Sequence, residues 1–181
     1  YDKACDIFWS SGVAVLVNRK IFVDIGMFDN TFFLYMEEID VCWRLILKGY
    51  RIRSVPKSKI FHKVAASAKK NLFMKRYYEH RNNLIMITKN YSNKDMLILF
   101  PQRILLEILT LLFYVVKMDK NSLRGLIYAH AYYWIHFFEI IRRRSKHNLD
   151  VENFSPLMYQ SSIVWQYFVK KKHTYRALNM K

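Results

Sequence analysis

The chain has 181 residues, 30 Lys and Arg against 14 Asp and Glu, a formal net charge of +16, and an apolar share of 52% with 17% aromatics. That apolar content excludes a disordered chain, because low hydrophobicity is what keeps a chain unfolded. Four Gly and three Pro exclude collagen-like and low-complexity classes, and two cysteines, Cys5 and Cys42, make no disulfide framework and fit a reducing compartment.

In chain order, Val13-Ala14-Val15-Leu16-Val17 follows Ser10-Ser11-Gly12 and reads as a buried strand after a turn. Arg19 to Ile25 reads as a short helix stopped by Gly26, and Phe28-Asp29-Asn30 is turn chemistry. Glu37 to Lys48 reads as a helix with Glu37, Glu38 and Asp40 in its first turn, Lys48 in its last and Gly49 closing it, as the helix dipole favours. Arg51 to Val55 alternates and stops at Pro56, so a strand is expected, with a second short one at Ile60-Phe61-His62.

After His62 the apolar spacing becomes helical. Helices are expected over Leu72–Tyr91, Met96–Met118, Leu123–Arg144 and Ser161–Lys172, with a loop at Asn148–Pro156. The charge divides at the same place. Residues 1–62 carry nine Lys and Arg against seven Asp and Glu, whereas residues 63–181 carry 21 against seven. The expected organisation is therefore an α/β segment, 1–68, followed by an all-helical basic segment, 69–181. A basic, aromatic-rich half points to an anionic membrane surface or to nucleic acid.

Ile104 to Val116 is a nearly continuous apolar run interrupted by Glu107 and flanked by Arg103 and Lys117. At 13 residues it falls short of the ~20 that a span needs, so it reads as an interfacial helix before a transmembrane one near 104–118, with a core helix as the other alternative. Trp134, Tyr132, Tyr133 and Arg142-Arg143-Arg144 favour a surface lying on lipid headgroups.

One acidic cluster, Met36-Glu37-Glu38-Ile39-Asp40, could carry chemistry. A carboxylate at a helix start can act as a general base if it reaches a substrate proton. The same residues also suit ordinary dipole compensation, and Asp40 with Arg44 is an ordinary i,i+4 pair. His62 could bind a divalent ion or simply be a surface histidine, and the other histidines form no metal-spaced set with cysteine. No Gly-rich phosphate loop and no nucleophile elbow is present.

Five ordered blocks carry a resemblance. They are Phe8-Trp9-Ser10-Ser11-Gly12-Val13-Ala14, Val23 to Asp29, Phe32 to Arg44, Lys48 to Ile52 with Val55-Pro56, and Phe61-His62-Lys63. Arg76-Tyr77-Tyr78, Arg81-Asn82-Asn83-Leu84, Lys89-Asn90 and Ser162 to Phe168 agree more loosely. Together they resemble the C-terminal half of the catalytic domain of family 2 glycosyltransferases, in the bacterial rhamnosyltransferase-like branch, with a tail like Bacteroidetes-type versions.

The resemblance implies the second half of a doubly wound GT-A domain followed by a helical appendage. It implies Glu38 as the general base, with Glu37, Asp40 and Arg44 shaping the site; many members carry Asp where Glu38 stands. Trp9, Ser11 and Gly12 match the acceptor- and donor-binding turn, and His62 a metal position found in some members. The implied reaction is inverting transfer from a nucleotide-diphosphate sugar to a hydroxyl of a glycan, expected to be lipid-linked, in cell-surface polysaccharide synthesis. The implied cofactor is Mg or Mn, with its main carboxylates on an Asp-x-Asp that does not precede the acidic pair here. The implied location is peripheral, on the cytoplasmic face of the inner membrane, with no nucleic acid as partner.

Tyr1-Asp2-Lys3 opens without an initiator Met or signal peptide, so a piece lacking its nucleotide-binding half, and inactive by itself, is expected. The alternatives are a basic nucleic-acid-binding module and a non-catalytic remnant.

Overall fold

Residues 3–62, 71–144, 157–159 and 161–178 are described by a computed structural model. Their regular structure is helical. In order come α1 (Arg19–Asp24), α2 (Glu37–Leu47), α3 (Leu72–Asn90), α4 (Asn93–Val116), α5 (Lys120–Ile135), α6 (Phe137–Arg142) and α7 (Ile163–Phe168), then a 3-10 turn at Tyr175–Leu178.

Short polar side chains start five of these helices. Asn18, Asn71, Ser92, Asp119 and Ser162 each accept a hydrogen bond from the backbone N–H three residues on, relieving one of the unpaired donors at a helix start. At the other end of α2, Gly49 (φ +83) reverses the chain while its N–H donates to the Ile46 carbonyl at 2.8 Å. Helix α2 itself begins on Met36, in the left-handed region at φ 73, with no side-chain cap.

The expected strands do not form among the described residues. The α/β expectation is corrected there to a helical assembly with one isolated antiparallel bridge, Asp6 to Arg53. It is flanked by Ile7 N–H to Ile52 O and Ser54 N–H to Cys5 O, each 2.9 Å. The reason is the absence of a partner: a strand is stable only when its backbone groups pair with a neighbour. Residues 13–17 have none, and Leu16 is fully exposed, as is Phe61 in the last expected strand.

Helix α3 is the centre. His80 to Asn90 are buried except Asn83, because α2, α4, α5 and α6 all pack on it. The core joins Phe32 and Trp43 from the first segment to Leu84, Ile85, Met86 and Ile87 of α3, Tyr133 of α5 and Ile140 of α6. The expected boundary near residue 68, like the Asn148–Pro156 loop, falls outside the described residues. Across that boundary the two segments interlock through Arg81 to Thr31 O (2.6 Å) and Arg143 to Thr31 Oγ1 (2.8 Å).

The closest helix contact is α3 on α5. A Cβ on Gly125 would stand 2.7 Å from Arg76 Cβ, 2.9 Å from Phe73 O and 3.0 Å from Tyr77 N. Backbone cannot move aside as a side-chain tip can. Gly125→Ala is therefore expected to cost about 1–3 kcal/mol, as overpacking does. In a thermal melt that appears as a lower midpoint, by about 2–4 °C per kcal/mol. The expected single helix 123–144 is divided at His136 (φ −97, ψ 11), where the rings of Tyr132 and His136 lie 4.3 Å apart.

Helix α4 is longer than the apolar run in the sequence suggested. Its 24 residues make it, by length and composition alone, able to cross a membrane. Its inner face carries buried Glu107, whose Oε2 lies 2.7 Å from His80 Nδ1 of α3 and 3.5 Å from His130 Nε2 of α5; Arg103 of α4 pairs with the other oxygen. Burial raises the Glu107 pKa, but the two histidines and Arg103 outweigh it and hold the carboxyl well below the usual range. The outer face of α4 is bare, with Leu105, Ile108, Leu109, Leu112 and Phe113 each more than half exposed.

Candidate active site

The acidic pair is presented by an unusual piece of backbone. Tyr35 (φ 67) and Met36 (φ 73) are consecutive non-glycine residues in the left-handed region, immediately before Glu37. That conformation is sparsely populated and persists only where surroundings fix it. Asn82 of α3, fully buried, fixes it: its Nδ2 donates to Leu34 O at 2.7 Å and Tyr35 O at 2.8 Å. Upstream, Asp29 Oδ1 accepts from the Thr31 N–H at 2.8 Å.

Glu37 and Glu38 are half-buried, and each has one buried carboxylate oxygen, Oε2, with no hydrogen-bond partner among the protein atoms. Burial raises the Glu38 pKa, its own backbone N–H opposes this, and the neighbouring Glu37 charge adds to the rise. The result is a carboxylate more basic than usual. Burial also pushes the Cys42 thiol up, against a bond from the Ser10 N–H (3.5 Å).

The Ser11–Gly12 turn lies beside this pair: a Cβ on Gly12 would stand 3.8 Å from Glu38 Cβ. Ser11 and Gly12 are exposed, and Trp9 is 45% exposed while Phe8 packs its ring edge-on against Trp43. The exposed Ser11–Gly12 turn thus lies beside Glu38.

Asp40 and Arg44 face the other way. Asp40 is fully buried; its Oδ2 accepts from Arg44 Nε and its Oδ1 from Asn90 Nδ2, each at 2.8 Å, with Lys89 Nζ at 3.4 Å. Arg44 also donates to Ile25 O and Met27 O (2.6 Å), tying α2 to the Gly26 turn. His62 is exposed. Among the described residues no three His, Cys, Asp or Glu side chains converge as metal ligands. The described residues therefore do not fit a divalent ion by themselves.

Sequence reasoning passed over Arg81, Asn82 and Lys89 as site builders. Their signal was present: on α3 they recur at helical spacing on the stripe that also holds Ile85 and Thr88, so polar groups occupy core positions. Arg81 and Lys89 are turned inward to Thr31, Asn82, Asp29 and Asp40, and Arg76 pairs with Glu79 at 2.8 Å. The interleaved cations of α3 are thus largely spent on internal partners.

The chain is similar to bacterial rhamnosyltransferases. It is 31% identical over 84 residues to an N-acetylglucosaminyl-diphospho-decaprenol L-rhamnosyltransferase of Mycobacterium tuberculosis, covering 46% of this chain and 27% of that one. It is 36% identical over 83 residues to the rhamnosyltransferase WbbL of Escherichia coli, covering 46% and 26%. The similarity thus spans about a quarter of each relative's length. No family model and no solved structure matches the chain.

Proposed function

We propose that this chain is the acceptor-side part of an inverting, family 2 glycosyltransferase of the GT-A, rhamnosyltransferase-like kind. The observation that carries the reading is the Glu37–Glu38 pair. It is held on a strained link beside the Ser11–Gly12 turn, with Glu38 made more basic by burial and an unpartnered oxygen on each acid. The partial likeness to two enzymes named for sugar transfer supports it.

In this reading Glu38 takes the proton of an acceptor hydroxyl. The freed oxygen forms a bond to the anomeric carbon of a nucleotide-diphosphate sugar from the face opposite the leaving group. The bond to the diphosphate breaks and its electron pair leaves with the phosphate, inverting the centre. Glu38 then holds the proton, which its raised pKa favours. The exposed Trp9 ring and the open Ser11–Gly12 turn would line the acceptor. The test is sugar transfer by the full-length protein from a panel of UDP-, GDP- and dTDP-linked sugars to a membrane lipid extract. Transfer of no sugar from the panel would count against the reading.

We place the protein peripherally on a membrane, at its cytoplasmic face, with a lipid-linked glycan as acceptor. The bare apolar face of α4 supports this, as do exposed Ile163, Trp165 and Phe168 of α7 beside Lys170-Lys171-Lys172. Burying one leucine contributes about 1.5–3 kcal/mol, so Leu109→Asp should lower partitioning onto vesicles by about tenfold or more. Flotation with phosphatidylcholine vesicles, with and without phosphatidylglycerol and across a salt series, measures this. Unchanged flotation of the variant would remove α4 from the contact.

A further inference from the structure

We propose that Asn82 is a positioning residue of the transfer site: its buried carboxamide, clamped by Arg81, holds the left-handed Tyr35–Met36 link that aims Glu38 at the acceptor. The proposal rests on the reading of Glu38 as the base.

The geometry allows one orientation of the amide. Asn82 Oδ1 accepts from Arg81 Nε at 2.8 Å, and Nδ2 donates to the carbonyls of Leu34 and Tyr35 at 2.7 and 2.8 Å. A guanidinium only donates and a carbonyl only accepts, so every partner selects the same flip. Two adjacent carbonyls captured by one NH2 group fix the plane of the peptides that lead into α2.

Arg81 is itself immobilised. Its guanidinium carbon lies 5.2, 4.9 and 4.9 Å from the ring centres of Tyr77, Tyr78 and Tyr132, and its Nη2 donates to Thr31 O at 2.6 Å. Stacking on aromatic rings and a planar fork of donors are what arginine offers and lysine does not. A rigid connection therefore runs from the tyrosine cage through Arg81 and Asn82 to the residues just before Glu37.

This support replaces a missing one. Five helices are started by a capping side chain, whereas α2 on Met36, like the short α6, starts without one. Asn82 acts one step earlier, on the backbone carbonyls of the link. The Asn82 side chain bonds to Arg81 and to the carbonyls of Leu34 and Tyr35 and not to Glu38, so its effect reaches the chemistry through placement.

The test follows the Glu38 carboxyl in the full-length protein by NMR of 13C-labelled glutamate, the signal being assigned by its loss in Glu38→Gln. Asn82→Leu, similar in size and without donors, should return the Glu38 titration toward that of an ordinary glutamate. In the transfer assay above it should lower kcat about a hundredfold with KM for the nucleotide sugar within about twofold, as misplacement by roughly an ångström does. Asn82→Ser, which adds no bulk, is read in the same way should the leucine variant not fold. Thr88→Val removes a different buried α3 hydrogen bond, to Tyr133 OH at 2.8 Å, and should leave the titration where it is. An unmoved Glu38 titration in folded Asn82 variants, or an equal shift in Thr88→Val, overturns the proposal. A shifted titration beside full transfer by Glu38→Gln keeps the clamp and overturns the base. An unmoved titration beside an inactive Glu38→Gln does the reverse.

Discussion

Glu38→Gln is expected to lose sugar transfer by about a hundred- to ten-thousandfold, the usual worth of a positioned general base, with no loss of stability. The two halves of that expectation come from the same observation. Burial and the Glu37 charge raise the Glu38 pKa, so the folded state binds its proton more tightly than the unfolded chain does. The sign follows from linkage: a carboxyl raised on folding favours the folded state at low pH, and that contribution is lost as the pH rises through its folded value. At neutral pH the ionised Glu38 is thus a local burden on the fold, and the neutral amide of glutamine relieves it. The thermal midpoint of the variant should equal or exceed that of the parent while transfer disappears. A purely structural glutamate would show the opposite pattern, with stability falling and residual activity tracking the folded fraction. Transfer near the parental rate in Glu38→Gln would remove the base assignment. Glu37→Gln supplies the companion measurement: removing the neighbouring charge should lower the pKa of Glu38 and shift the acidic limb of the rate profile downward.

The helices were largely legible in the sequence because their signals are local. Gly26 and Gly49 stop α1 and α2 at φ +86 and +83, and the acidic first turn of α2 stands where the helix dipole favours it. Helix α4 starts at Asn93, three residues before the expected Met96, because the Ser92 hydroxyl accepts from the Asp95 N–H and donates to the Asp95 carboxylate. The strand expected over 13–17 depended on something no local pattern carries, a neighbour to pair with. The division at His136 depends on ring packing among Tyr132, Tyr133, Trp134 and Phe137, which periodicity does not register. The acidic pair was visible in the sequence, but what aims it was not. Asn82 lies on a distant helix, 47 residues from Tyr35, and makes its bonds to backbone carbonyls, which carry no residue identity. The opposed roles of Glu38 and Asp40 were equally hidden. They are two residues apart, yet one α-helical step of that size turns a side chain away from the open surface and into the core.

Asp40→Ala is accordingly expected to be the most damaging substitution to the fold. Asp40 sits with no exposure between Arg44 of its own helix and Lys89 and Asn90 of α3, and Lys89 is shared with Asp29. Removing one member of a buried ionic group leaves the others desolvated without compensation, at about 3–5 kcal/mol. For a chain of this size the thermal midpoint should fall by at least about 6 °C. Lys89 keeps Asp29, and Arg44 keeps the carbonyls of Ile25 and Met27, which bounds the loss. The pH dependence carries the same signature. Burial raises the Asp29 pKa, but bonds from Lys89 and Thr31 outweigh it and bring the carboxyl down to about 2. A carboxyl lowered on folding contributes stability that is complete above its ordinary value of 3.8 and is lost as the pH falls toward 2. Acid unfolding of the parent should therefore begin below about pH 4, and in Asp40→Ala that contribution from Asp29 remains while the midpoint at every pH is lower. The decisive comparison is Asp40→Asn with Lys89→Met against each alone. The double variant removes both charges of the pair and leaves Arg44 and Asp29 in place, so it should lose less than the sum of the two single losses. Additive losses in that cycle would mean that Asp40 and Lys89 do not act as a pair. Transfer activity per folded molecule, measured on the same variants, then separates the roles: it should survive in the double variant, where Glu38 and the Tyr35–Met36 link are untouched, and vanish only when Glu38 itself is changed.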